Sequence, residues 1–192
     1  MIKEGNSNKS LLVVNLFGSP GSGKSTGAAY IFSQLKLHNV NCELVTEYVK
    51  DKVWEENTCA VNNQLYLLGN QYYRLCRLTG KVDVVITDSP LPLNIIYNPD
   101  KEMYGNCFND LVINVFDSFH NVNYFVNRCK PYNPKGRIQS EEESKQLAVD
   151  IKNLLKENNI PIISEIEGKQ SDYDKIVKEI LSLLKLRKSN QS

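Results

Sequence analysis

Gly18-Ser19-Pro20-Gly21-Ser22-Gly23-Lys24-Ser25 fits the pattern GxxxxGK[ST] at every fixed position. Its residue types imply a defined chemistry. A polyphosphate is best held by backbone N–H groups at the start of a helix, which demands glycine wherever a Cβ would collide or φ must be positive. In such a loop the Lys24 ammonium reaches the β- and γ-phosphates, and the Ser25 hydroxyl joins the oxygen shell of a Mg²⁺ ion. The expected binding set is Gly18, Ser19, Pro20, Gly21, Ser22, Gly23, Lys24, Ser25 and Thr26, with ATP and Mg²⁺ as cofactors. The metal also needs an acid at the end of a neighbouring strand. Val82-Asp-Val-Val-Ile-Thr-Asp88 supplies one, because Asp88 stands where an apolar run ends. Asp83, at the other end of that run, reads as a solvated residue.

The rest of the chain favours transfer to a bound acceptor over hydrolysis. It has no NKxD guanine-reading motif, and Ser89 follows Asp88 where many hydrolytic sites carry a second acid. Downstream of a second strand lies Leu44-Val-Thr-Glu47-Tyr48-Val-Lys-Asp51-Lys-Val-Trp54, which puts an acid and the sole tryptophan near the same edge. A long helix over 61–78 places Gln71 and Arg74 on one face at i, i+3, with Arg77 about a turn beyond. Between 128 and 137, Arg128, Lys130, Lys135 and Arg137 occur with no acid among them. A helix start follows, in which Ser140 and Glu143 have capping-box spacing. Such a basic loop can close on phosphates and stabilise transition-state charge. A solvated loop, or one that meets nucleic-acid phosphates, is the other reading.

On these residues the chain resembles the small P-loop kinases of the nucleoside and nucleotide kinase group. The Glu47-Tyr48 segment is similar to the Glu-Pro-x-x-x-Trp region of deoxynucleoside kinases. It is more similar still to the Glu-Tyr segment of ribosylnicotinamide kinase domains and related P-loop proteins with an AAA-type ATP-binding domain, many of them from bacteriophages. The resemblance implies that Glu47 accepts the proton of the attacking hydroxyl or holds a sugar hydroxyl. It further implies that Gln71 reads a base, that Arg74 pairs with an acceptor phosphate, and that Arg128 and Arg137 are the working pair of a lid. Tyr48 stands where deoxynucleoside kinases have proline, so their acceptor specificity does not carry over. Trp54 is either a stacking surface for a base or a core or hinge aromatic. Tyr97, Tyr104 and Tyr132 lie in expected loops and are candidates to line an acceptor pocket.

The elements that must position these groups alternate. Apolar β-branched runs at 11–17, 42–46, 82–87, 123–126 and 160–164 read as strands; helical periodicity covers 24–37, 61–78, 108–119, 141–156 and 173–186. We expect an α/β three-layer sandwich of the P-loop NTPase type. Its five-stranded parallel sheet should have the order 2-3-1-4-5, with a lid at about 127–140. Residues 1–10 and 187–192 are expected to be polar tails around one domain over 11–186, and 88–107 an irregular stretch. The 192 residues carry 23 Lys+Arg against 22 Asp+Glu, a net charge of +1 that argues against a broad basic coat for duplex nucleic acid. No apolar run spans a bilayer and the first residues, MIKEGNSNKS, are polar, so a cytoplasmic protein without membrane attachment is expected. Five cysteines, none closer than 17 residues to the next, read as reduced and mostly buried thiols. His38 and His120 read as helix-end residues. The expected function is ATP- and Mg²⁺-dependent γ-phosphoryl transfer to a small acceptor, a nucleoside or nucleotide, by a protein for which a homodimer is weakly favoured. Two alternatives stay open: a phage-type kinase acting on a hydroxyl of a modified base or strand end, and a regulatory NTP-binding switch.

Overall fold

Leu12–Phe17 (β1) is buried at every position, as a strand must be when the sheet is covered on both faces. Alternation sorts its side chains. Leu12, Val14 and Leu16 face a core built with Lys24–Leu37 (α1) and Gln170–Ser189 (α8). Val13 and Phe17 face the other core, formed largely by Gln64–Cys76 (α4), Lys101–Asp117 (α6) and Glu141–Glu157 (α7). The computed structural model describes residues 11–129 and 140–189. Its sheet is parallel throughout and ordered β2-β3-β1-β4-β5. The other four strands are Cys42–Val45 (β2), Val84–Thr87 (β3), His120–Val126 (β4) and Ser164–Ile166 (β5), with β2 and β5 at the edges. This is the expected order, and it brings the loops after β1, β2, β3 and β4 to one edge.

Several expectations are corrected in detail. The last strand pairs at Ser164–Ile166 rather than over 160–164; Pro161, without an N–H, interrupts the apolar run that suggested it. The stretch 88–107 contains a short helix, Leu93–Ile96 (α5), and the start of α6, whose helical geometry breaks at Gly105 with φ of 53°. Two further short helices, Tyr48–Trp54 (α2) and Thr58–Val61 (α3), precede α4. The final helix extends past the expected 186 to Ser189. His120 opens β4 instead of closing a helix. Only Cys42 is buried, whereas Cys59, Cys107 and Cys129 are exposed; none of the five is disulfide-bonded.

One feature of the sheet has no apolar explanation. Asn15, at the centre of β1 and buried, donates from Nδ2 to Asn121 Oδ1 and Asn123 Oδ1 of β4, both at 2.9 Å. Asn121 in turn donates to the Phe116 carbonyl at 2.6 Å, and Asn123 to that of Pro161 at 3.0 Å. The cluster ties β1, β4, the end of α6 and the approach to β5 through groups that are costly to bury unpaired.

Candidate active site

β1 delivers Gly18 to the sheet edge and α1 begins at Lys24, so the loop between them lies over a helix N-terminus. Gly18 has φ of 143°, and a Cβ there would stand 2.5 Å from the Val126 carbonyl oxygen and 2.8 Å from Ser22 Oγ. Only glycine lets the loop lie this close to the end of β4. Lys24 Nζ donates to the carbonyls of Gly18 at 2.6 Å and Ser19 at 3.0 Å, which holds its ammonium over the loop. Ser22 Oγ is buried without a hydrogen-bond partner among the described residues. Pro20, Gly21, Lys24 and Ser25 line the adjoining cleft, while Thr26 is exposed on the first turn of α1 and is not among the lining residues.

Two contacts brace the loop from outside. Ser144, fully buried in α7, donates to the Pro20 carbonyl at 2.8 Å with Ser19 Oγ at 3.3 Å. Tyr173 of α8 donates its hydroxyl to the Gly23 carbonyl at 3.2 Å. Its ring packs so closely on α1 that a Cβ at Gly27 would lie 2.3 Å from it. Burial pushes the Tyr173 hydroxyl up to about 12 and keeps it a donor.

The acids come from the neighbouring strands. Asp88, one residue past β3 and buried, accepts a hydrogen bond from the Glu47 backbone N–H at 3.1 Å. Glu47 stands at the N-cap of α2, yet its carboxylate makes no capping bond. Burial raises its pKa above the ordinary carboxylate value; Asp88 pushes the same way and Lys24 opposes. Lys24, Ser25, Glu47 and Asp88 line one cleft of about 540 Å³. The hard oxygen donors Ser25 and Asp88, beside a cradle that a Cβ at Gly18 would fill, fit a Mg²⁺ ion sharing its remaining sites with phosphate and water. No group of three or more His, Cys, Asp or Glu among the described residues makes an all-protein metal cage.

The remaining expected site residues divide. Gln71 lines the cleft but is committed to backbone: Oε1 accepts from Tyr48 N at 3.0 Å, while Nε2 lies 3.4 Å from the carbonyls of Thr46 and Ser89. It therefore clamps the loops after β2 and β3. Arg74 is not among the lining residues; it pairs with Asp51 at 2.6 Å and stacks on the Tyr48 ring at 4.7 Å. Arg77 is the C-cap of α4. Trp54 lines the cleft with 73% of its surface exposed, so it is not a core residue. Arg128, just after β4, pairs with Glu141 on the first turn of α7 at 2.8 Å. Arg137, Lys130, Lys135 and Tyr132 lie outside the described residues. The expected capping box forms, with Ser140 and Glu143 satisfying each other's backbone N–H.

Sequence reasoning missed Gln64, Asn94, Ser144 and Tyr173, and left Tyr97 unranked. Gln64, Asn94 and Tyr97 all line the same cleft as the loop's residues, from α4, from α5 and from the C-cap of α5. Burial and the charge of Glu47 push the Tyr97 hydroxyl up to about 12. No motif marks these residues, because only the packing of α4 against α5 brings them together.

Comparison with known proteins agrees with this architecture. Thymidylate kinase from Ehrlichia chaffeensis superposes with a TM-score of 0.61 at 13% identity, over 91% of this chain and 99% of that one. Shikimate kinase from Acinetobacter baumannii, in complex with shikimate, gives 0.52 at 16% identity, over 94% and 96%. At these identities the likeness is one of fold, which is that of the P-loop kinases. A search of curated protein sequences finds no significant match. The sequence profile described as "AAA domain" matches residues 13–171, from inside β1 to the start of α8. Because that span takes in the phosphate loop, both acid-bearing loops and every strand, the chain belongs to the AAA domain family.

Proposed function

We propose that the protein is an ATP- and Mg²⁺-dependent kinase that transfers the γ-phosphoryl group to a small acceptor, a nucleoside or nucleotide. The observation that carries this reading is Glu47: a half-buried carboxylate with no hydrogen-bond partner among the described residues, in the same cleft as Lys24, Ser25 and Asp88. A hydrolase or a passive switch has no need of an acid facing an apolar, aromatic-walled lobe; a transferase does. In this reading the loop amides and Lys24 hold the β- and γ-phosphates, and Ser25 and Asp88 hold the metal. Mg²⁺, when bound, neutralises charge developing on the transferring group. Glu47 takes the proton of the acceptor hydroxyl, or orients it, and burial raises its pKa and so strengthens it as a base. Arg128 and Arg137 add cationic charge from the side of the lid. Asp88 also fixes Glu47 through its backbone, so metal and base are set by one side chain.

Trp54 stands exposed at the cleft, where a base of a strand end could stack, so polymer acceptors belong in the test. A panel of nucleosides, mononucleotides and oligonucleotides is incubated with labelled ATP, and the phosphorylated species is identified. We expect label on a monomeric acceptor. Label confined to oligonucleotides would favour the strand-end reading, and ATP binding without transfer would favour a switch. Lys24→Ala is expected to reduce transfer by at least about 10³-fold, since it removes a charge made for the transition state; retained transfer would refute the scheme. Among the described residues no helix is long and apolar enough to cross a membrane.

A further inference from the structure

Gln64 is the first residue of α4, is 5% exposed and lines the cleft. No hydrogen bond ties its side chain to a described residue, and its carboxamide is not among the buried polar atoms that lack a partner, so the amide opens to the cleft. Helix capping does not need it, because Asn63 accepts the hydrogen bond from Tyr66 N. The neighbouring amide, Gln71, has both ends committed to backbone. Asn94, also buried and on the cleft wall, donates to the Leu91 carbonyl at 2.8 Å, and its Oδ1 accepts nothing from a described residue. Around these groups the walls are flat or apolar: Trp54, Leu67, Leu93 and Tyr97.

We infer that Gln64 is the residue that selects the acceptor, by pairing its carboxamide with a planar ring that carries a hydrogen-bond donor and acceptor side by side on one edge. The inference rests on the reading of this cleft as the acceptor site and deepens it. A primary amide presents N–H and C=O in one plane, and such an edge satisfies both at once, as glutamine does with adenine. A polyol without a flat ring leaves the aromatic walls unfilled. The lactam or amidine edge of a nucleobase and a carboxamide attached to a ring share this chemistry.

The test measures binding by calorimetry on the full chain, with ATP titrated separately. Uridine, adenosine and a ring-carboxamide riboside are compared with N3-methyluridine, whose donor is blocked. For the wild type we expect N3-methyluridine to bind about 30-fold or more weaker than uridine, since a site built to hydrogen-bond a group rejects the analogue lacking it. The ring-carboxamide riboside binding in place of the nucleosides would identify the other source of the same edge. Gln64→Leu is expected to weaken every edge-bearing riboside by a similar factor and to abolish discrimination against N3-methyluridine. It should leave ATP affinity within about twofold and the melting temperature little changed, because the side-chain amide makes no hydrogen bond to a described residue that the substitution could break. If the wild type binds uridine, N3-methyluridine binding equally well would overturn the inference, as would unaltered affinity of Gln64→Leu for whichever riboside the wild type binds. So would absence of any riboside binding. Gln64-dependent binding without phosphate transfer would sustain the inference and refute the kinase reading; transfer indifferent to Gln64→Leu would do the reverse.

Discussion

At the scale of single residues, Glu47 gives the sharpest pH dependence. Its folded pKa is raised, so the native protein binds that proton more tightly than the unfolded chain does. Between the unfolded value, about 4.3 for a free glutamate, and the raised folded value, stability falls as pH rises, and above the folded value the deficit is constant. Glu47→Gln removes the burden. Its melting temperature is therefore expected to exceed the wild type's at pH 8, with the gap closing as pH falls towards 4. The same substitution should lower kcat by about 10²–10⁴-fold and erase the limb of the pH–rate profile that rises as Glu47 loses its proton. A variant that lost stability at pH 8 while keeping that limb would contradict both roles. Gln71 makes the complementary point. Spacing put it on one face of the helix with Arg74, but a helical face does not reveal whether an amide meets a ligand or a loop, and here it meets the loops after β2 and β3.

At the scale of elements, α7 is fastened to the phosphate loop by one hydroxyl. Ser144→Ala leaves the Pro20 carbonyl without its donor, a loss of about 1–3 kcal/mol for a buried group. We expect ATP affinity to fall several-fold while the KM for the acceptor changes little, measured by ATP titration and steady-state kinetics; equal damage to both would mean the contact serves global stability only. The elements that were legible in the sequence owe it to local rules. The phosphate loop follows from glycine spacing between a strand and a helix and the start of α7 from its capping box, while the 2-3-1-4-5 order came from the resemblance to P-loop kinases. What was not legible depended on tertiary choice. An apolar run containing Pro161 looked like a strand that in fact pairs three residues later, and short α2 and α5 carry too few turns for a periodic signal. Gln64 and Ser144 are ordinary residues on ordinary helices until α4 and α7 are docked.

At the scale of the whole molecule, the buried asparagine cluster is the feature with the widest reach. Asn15→Ala would leave the side-chain oxygens of buried Asn123 and half-buried Asn121 without this donor. A destabilisation of about 2–4 kcal/mol is expected from two unmet acceptors, read as a lower urea midpoint. An unchanged midpoint would show that the cluster contributes nothing to the fold. Its larger meaning is metrological. β1 runs into the glycine-rich loop and Arg128 follows closely on the end of β4 at Val126, and Asn15 lies directly opposite Asn123 in the ladder between them. A slip of one residue would carry the arginine about 3.3 Å along the sheet and turn every side chain of β4 to the wrong face. Three amides in the interior thus act as the zero mark of a ruler, setting how far apart two distant loops stand before either has met a nucleotide.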